Sequence, residues 1–285
     1  MENPHHQHDP AAEPDWAAMA ELLDLDADVL HSYLSEVTAW VYERAAELPR
    51  RRILDLGSGT GTGALALVQC FAEADVIALD KSAQLLARCQ AKARELGVED
   101  RIRTVQADLD AAWPVIDPVD LVWASSSLHH MADPDRVLTE AFTAIHPGGL
   151  LAVAEMDSFP RFLPDAVGLG RPGLEARCHS ALAAGMADQV PHLGSDWGSR
   201  LRQTGFALEA ERTFVIDLEP PLPVSTGRYA QLSLQRTRSS LEGRTSADDL
   251  AALDTLIDSD GPASVLRRDD LAVRAKRTVW MARRP

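Results

Sequence analysis

The residues best suited to chemistry lie in Asp55-Leu56-Gly57-Ser58-Gly59-Thr60-Gly61-Thr62-Gly63, where glycine recurs at every second position. An apolar run, Ile53-Leu54, precedes them, and the helix-forming Ala64-Leu65-Ala66-Leu67 follows. Glycine lets the backbone turn sharply and come close to a ligand because no Cβ intervenes. The helix that follows offers free N–H groups and the positive end of its dipole to whatever rests on the loop. A strand, a glycine loop and a helix in this order form a cofactor cradle.

Two cofactor classes suit such a cradle. Gly59-x-Gly61-x-x-Ala64 satisfies a relaxed dinucleotide fingerprint, and Asp80 supplies the acid expected about 20 residues later. Asp55 argues against that class: at the mouth of the loop it repels a pyrophosphate and suits an ammonium group. S-adenosyl-L-methionine carries an α-ammonium and a sulfonium, and has no phosphate.

Further motifs follow in order. Asp80 closes Val76-Ile77-Ala78-Leu79, and Gln106-Ala107-Asp108 follows the alternating Ile102-Arg103-Thr104-Val105. Asp120-Leu121-Val122-Trp123-Ala124-Ser125 and His146-Pro147-Gly148-Gly149-Leu150 come next. The ordered set resembles the class I S-adenosylmethionine-dependent methyltransferases, firmly over residues 40 to 160. The resemblance implies that Asp55, Gly57, Ser58, Gly59 and Gly61 cradle the donor. Asp80, with Lys81 beside it, would take the ribose hydroxyls, and Asp108, with Leu109, the adenine. Ser125 would border the same crevice, and Tyr33 would reach it from an N-terminal helical lid. The released product would be S-adenosyl-L-homocysteine.

Methyl transfer from a sulfonium is an in-line displacement that mainly needs positioning and exclusion of water. A general base is required only for a protonated hydroxyl or a carbon acid. The candidates are His129 and His130 in Ser125-Ser126-Ser127-Leu128-His129-His130-Met131, because histidine titrates near neutral pH. This Leu-His-His segment is similar to ubiquinone- and menaquinone-type small-molecule methyltransferases. The loop has no Asn-Pro-Pro-Tyr sequence, which favours an oxygen or carbon acceptor over an amino group. Asp157, Arg161, His179 and Arg228 are read as surface residues. No His-Glu-x-x-His or paired zinc-type cysteines occur, so no metal is expected. Two other readings stay open: a non-catalytic S-adenosylmethionine-binding protein, and an NAD(P)-dependent oxidoreductase, against which Asp55 and the Pro-Gly-Gly turn speak.

Positioning these residues takes alternating elements. Strands are expected at Arg52–Leu56, Asp75–Leu79, Ile102–Val105, Val119–Ala124 and Leu150–Glu155, with helices at Gly63–Phe71, Ala83–Leu96 and Pro134–Ala144. Alternation of this kind implies an α/β, doubly wound, Rossmann-like sheet whose ligands bind beyond the strands' carboxyl ends. The sheet is expected to be mostly parallel, with Ala207–Leu218 and Leu271–Ala282 as an antiparallel edge hairpin. One helix from Asp28 to Pro49 heads the lid (residues 15–50), after a disordered tail (residues 1–14). Residues 51–285 form the methyltransferase domain, with a substrate-side cap insertion near 158–192. Helices are expected at Leu174 to Ala187, Trp197 to Gly205, Tyr229 to Leu241 and Asp248 to Leu256.

The composition narrows the partners. The formal net charge of the 285 residues is −15, which opposes a phosphate backbone, so nucleic acid is not an expected partner. The C-terminal cations Arg267, Arg268, Arg274, Lys276, Arg277, Arg283 and Arg284 are read as a solvated edge. No apolar run approaches a membrane span and no signal peptide is visible. Cys70, Cys89 and Cys178, odd in number and scattered, suit a reducing cytoplasm. The expectation is a cytoplasmic monomer or homodimer acting on a small molecule.

Overall fold

The computed structural model describes residues 15–48, 52–186 and 191–285. The tail at 1–14, Pro49 and the predicted helix end at Ala187 lie outside the described residues. Seven strands form one sheet in the order β3-β2-β1-β4-β5-β7-β6. They are β1 (Arg52–Leu56), β2 (Asp75–Asp80), β3 (Ile102–Gln106), β4 (Val119–Ser125), β5 (Ile145–Met156), β6 (Ala207–Leu218) and β7 (Val273–Arg283). Strands β1 to β5 pair in parallel, and β7 runs antiparallel to both β5 and β6. The result is the mostly parallel α/β sheet with an antiparallel edge that the sequence pattern predicts.

Period-two alternation gives the sheet two covered faces. Ile53, Val76, Leu121, Trp123, Ala152 and Met281 enter one core. Helices α1 (Trp16–Val29), α2 (His31–Arg44) and α3 (Thr62–Cys70) pack there, with α4 (Ala83–Glu95), α6 (Leu174–Met186), α8 (Thr226–Ser240) and α9 (Ala247–Ile257). Leu54, Leu56, Val122, Leu151 and Val153 enter the other, under α5 (Pro134–Ala144) and α7 (Trp197–Thr204). Asp133 caps α5, its carboxylate accepting from Arg136 N at 3.0 Å with Pro134 in the first turn.

Two regions differ from the sequence pattern. The N-terminal segment holds two helices where one was expected from Asp28, and the break falls at Leu30 (φ −100, ψ 23). Periodicity misses α1 because Glu21, Asp24, Asp26 and Asp28 interrupt Leu22, Leu23 and Leu25, and of its residues only Val29 is buried. At the Pro-Gly-Gly segment, β5 begins at Ile145 rather than Leu150. Val119 pairs with Ile145 and Leu121 with Leu150, so the glycines form a bulge inside the strand. A Cβ on Gly149 would lie 2.8 Å from Asp120 O, so the two chains meet there backbone to backbone.

Candidate active site

The glycine loop joins β1 to α3, and each glycine answers a definite constraint. Gly57 and Gly61 take left-handed backbone, with φ of +67 and +80. A Cβ on Gly57 would stand 2.6 Å from Ser127 Cβ, and one on Gly61 2.2 Å from Cys89 Sγ. Gly63 is needed for closeness: a Cβ there would meet Trp123 Nε1 at 2.7 Å and Asp55 Oδ2 at 2.9 Å. The carboxylate of Asp80, at the tip of β2, accepts from Gly59 N at 2.9 Å and from Ser82 N at 2.8 Å. Asp80 therefore fixes the loop against the next strand. Asp108 lies two residues beyond β3 and is exposed, and its Oδ1 accepts from Asp110 N at 3.0 Å.

A cavity of about 90 Å³ opens beside this loop. Asp55, Ser58, Gly59 and Thr62 line it from the loop, Ser125 and Ser126 from the end of β4, and Tyr33 from α2. Asp55 Oδ2, Ser58 Oγ, Thr62 Oγ1 and Ser126 Oγ are buried there without a hydrogen-bond partner. Buried polar atoms are rarely left unpaired, so this cluster marks a surface made for a polar ligand. Burial pushes the Asp55 carboxyl up to about 7, against the Ala64 N–H it accepts and with Asp80 adding repulsion. A cationic group placed beside it would restore the carboxylate. The orphaned atoms and the closely packed glycines fit the amino-acid end of S-adenosylmethionine.

The segment after β4 is strained and tightly held. Ser126 has φ +51, unusual for a residue with a Cβ, and its N–H donates to Ala154 O at 2.8 Å. Glu155 of β5 secures the turn that follows: Oε1 accepts from Ser127 N at 3.1 Å and Leu128 N at 2.8 Å. Its Oε2 takes a short hydrogen bond from His129 Nδ1. A carboxylate only accepts, so Nδ1 carries a proton; in the neutral ring the lone pair then sits on Nε2. Glu155 and His129 are each 2% exposed. The ring of His130 lies 4.1 Å from that of His129. Although open to solvent, it is surrounded by enough protein that its pKa falls to about 4, with His129 and Arg236 adding repulsion.

His129 and His130 line a second cavity of about 270 Å³, with Met156, Phe159 and Leu182 on its apolar side. Leu23, Asp26, Ser126 and Arg277 border both cavities. Arg277 sits where they meet, donating to Asp26 Oδ1 at 2.6 Å, with its guanidinium carbon 5.0 Å from the centre of the Tyr33 ring.

The structure brings Asp55, Ser58, Gly59, Ser125 and Tyr33 to the first cavity and both histidines to the second. Gly57 and Gly61 shape the loop without lining either. Asp80, Lys81, Asp108 and Leu109 follow the neighbouring strand ends outside both cavities; Lys81 is exposed, and its carbonyl accepts from Gln106 Nε2 at 3.1 Å. Of the residues read as surface, Arg228 pairs with Glu21 of α1 at 2.7 Å, and Asp157 accepts from Thr278 Oγ1 at 3.1 Å. Arg277 departs from the solvated-edge reading, being 7% exposed at the junction of the cavities. Its signal was present in the sequence: it alternates with Ala275, Val279 and Met281 on the buried face of β7. Glu155 also had one, an acid closing a strand as Asp80 does.

Comparison with known proteins agrees with this geometry. Residues 53–149 match the family described as a methyltransferase domain. The 27-O-demethylrifamycin SV methyltransferase of Amycolatopsis mediterranei is 27% identical over 240 residues, covering 79% of this chain and 80% of that protein. A trans-aconitate 2-methyltransferase of Deinococcus radiodurans is 32% identical over 129 residues, 44% of this chain and 47% of the relative. Apart from the rifamycin enzyme, these curated relatives are spanned over only 26% to 60% of their length. Geranyl diphosphate methyltransferase, solved in complex with SAM, shares the fold with a TM-score of 0.51 at 16% identity, over 97% of this chain and 93% of that one. The likeness to a methyltransferase domain is carried by residues 53–149, the part of the chain that holds β1 to β4, the glycine loop and the start of β5. No helix among the described residues is long and apolar enough to cross a membrane.

Proposed function

We propose that this protein transfers a methyl group from S-adenosylmethionine to an oxygen or carbon of a small-molecule acceptor. The observation that carries the reading is the meeting of two cavities across Leu23, Asp26, Ser126 and Arg277. The donor supplies an already activated methyl group when bound. Asp55 would hold its ammonium, with Ser58 and Thr62 offering hydroxyls. A cavity of about 90 Å³ takes only the amino-acid end, so the nucleoside would run over the loop toward Asp80 and Asp108. Helices α1 and α2 act as the lid in this reading, since Leu23 and Tyr33 reach over the first cavity.

On the acceptor side, His129 Nε2 would take the proton of a hydroxyl or carbon acid. Glu155 is a positioning residue that fixes the tautomer through Nδ1. His130 is neutral at physiological pH and would orient the acceptor by hydrogen bonding. Support for the ubiquinone- and menaquinone-type branch is confined to Leu128-His129-His130, and the relatives' names point to varied small acceptors. Cys70, Cys89 and Cys178 form no disulfide among the described residues, which supports a reducing, cytoplasmic setting.

Calorimetry with S-adenosylhomocysteine tests the donor half. The wild type is expected to bind, and Asp80→Ala, which frees the loop, to lose at least about tenfold in affinity. Near-normal affinity in a folded Asp80→Ala protein would refute the assignment. For the acceptor half, His129→Ala is expected to slow methylation of a turned-over hydroxylated compound without weakening the S-adenosylhomocysteine complex. A protein that binds the donor product but methylates nothing across a broad metabolite panel would be the non-catalytic alternative.

A further inference from the structure

The second cavity contains a cation that no carboxylate balances. Arg236 lines it from α8, and the contact of its Nη1 is the thioether of Met19 at 3.3 Å. Among the described residues no carboxylate forms an ion pair with it. The other two arginines of α8 are both paired: Arg228 with Glu21 at 2.7 Å, and Arg238 with Asp254 and Glu242, each at 2.7 Å. Arg277, the second arginine of the cavity, holds Asp26. The chain has 43 acidic residues against 28 Lys and Arg, so Arg236 does not stand alone for want of carboxylates.

Its neighbours give the charge a setting. Ser233, Arg236, Thr237 and Ser240 recur at helical spacing, and all four line the cavity, so one face of α8 presents a guanidinium among hydroxyls. Across from that face stand Leu22, Met156, Phe159, Pro160 and Leu182. His130, with its pKa lowered to about 4, adds no second positive charge beside Arg236 near neutral pH. Burial also draws the Arg236 pKa down, although the side chain reaches solvent through the cavity mouth. Its guanidinium faces solvent at the cavity mouth, where an anion seated in the cavity would replace water around the charge.

We propose that the acceptor is a largely apolar small molecule bearing a carboxylate, and that Arg236 binds that carboxylate through its forked N–H donors. A planar fork matches a carboxylate with two parallel hydrogen bonds. One uncompensated guanidinium balances one negative charge, and it repels a protonated amine. The inference rests on the second cavity being the acceptor site.

The test uses three probes of matched chain, octanoate, octanol and octylammonium, titrated by calorimetry into the full-length protein saturated with S-adenosylhomocysteine. Wild type is expected to prefer octanoate over both others by about tenfold or more, the usual scale for a hydrogen-bonded charge. Arg236→Gln should abolish the preference while leaving octanol affinity within about twofold, and Arg236→Lys should restore part of it through a point charge. Equal affinities for the three probes in wild type, or a carboxylate preference that survives in Arg236→Gln, would overturn the proposal. Loss of S-adenosylhomocysteine binding by the wild type would instead strike the donor assignment, which the probe comparison leaves separately readable.

Discussion

The two cavities that meet at Ser126 and Arg277 are made from different materials. The proposed donor side rests on backbone: strand ends and a loop whose glycines pack within 3 Å of neighbouring atoms at the Cβ position, as Gly57, Gly61 and Gly63 do. The proposed acceptor side is side chain: Met19, Met156, Leu182 and Arg236, long and rotatable, on helices and at the end of β5. Gly168 and Gly170, between β5 and α6 and lining neither cavity, have positive φ, but a Cβ added at either would meet nothing within 4 Å. A fixed donor can be read by a rigid frame, whereas a variable acceptor calls for walls that repack.

The sharpest test of this contrast is a pair of glycine substitutions. Gly61→Val forces a β-branched residue into φ +80 and against Cys89, and is expected to cost about 3–5 kcal/mol in urea unfolding. Gly170→Ala, at φ +61 with open space around it, is expected to cost only about 1 kcal/mol. Comparable losses at the two sites would remove the distinction between a packed and an open frame.

Titration separates the regions as well. Asp55 on the donor side and Glu175 near the cap are both pushed up to about 7, chiefly by burial. Glu175 is nonetheless satisfied by the N–H groups of Phe162 and Leu163, while Asp55 Oδ2 has no partner. A carboxyl whose folded pKa is raised binds its proton more tightly folded than unfolded. Its contribution is complete at low pH and is lost as pH rises toward and through 7. For Asp55 the loss is roughly 2–3 kcal/mol between about pH 5 and about pH 8. A donor ammonium reverses the sign locally, so S-adenosylhomocysteine should stabilise the fold more at the higher pH. Thermal unfolding of wild type and Asp55→Asn across that range checks both statements. A stability difference between them that does not change with pH would exclude the buried neutral carboxyl.

How far the sequence went follows the same division. The placement of Asp55, Asp80, Asp108 and the glycine loop was legible because it is local and sequential, written in one loop and at successive strand ends. The mostly parallel sheet with its antiparallel edge was legible for the same reason, with strands and helices alternating through residues 52–156, whereas the strand order appears only in the fold. Arg277 and Arg236 were not, because their meaning depends on partners far along the chain. Asp26 turns Arg277 into a buried pair across 251 residues, and only the fold shows that Arg236 has none. Helix α1 was missed because its acidic residues break the apolar period, and those acids find their partners only in tertiary contacts. Asp24 reaches Lys92 at 2.8 Å and also Arg88, Glu21 reaches Arg228, and Asp26 reaches Arg277 and the Tyr229 hydroxyl at 2.6 Å.

That pattern gives α1 a particular weakness. It buries one residue fully, Val29, with Leu22 and Leu25 half-buried against the core, and its other anchors are ion pairs beside two cavities. The pairs of Glu21 and Asp24 are at least partly exposed, contribute about 0–1 kcal/mol each and are screened by salt, whereas Asp26–Arg277 is largely buried. An element with few buried apolar contacts opens at lower free energy than the sheet beneath it. Hydrogen exchange on the ligand-free protein should therefore show α1 amides exchanging faster than those of α3. Raising salt from about 0.05 M to about 0.5 M should speed α1 by at most about fivefold, the equivalent of about 1 kcal/mol, and leave α3 unchanged. Glu21→Gln should mimic part of that acceleration at low salt, and S-adenosylhomocysteine should slow it by giving Leu23 something to close upon. If α1 proves as protected as β4, or if salt accelerates α3 equally, then the helix belongs to the rigid donor frame, and the boundary between the two regions lies further out than the ion pairs suggest.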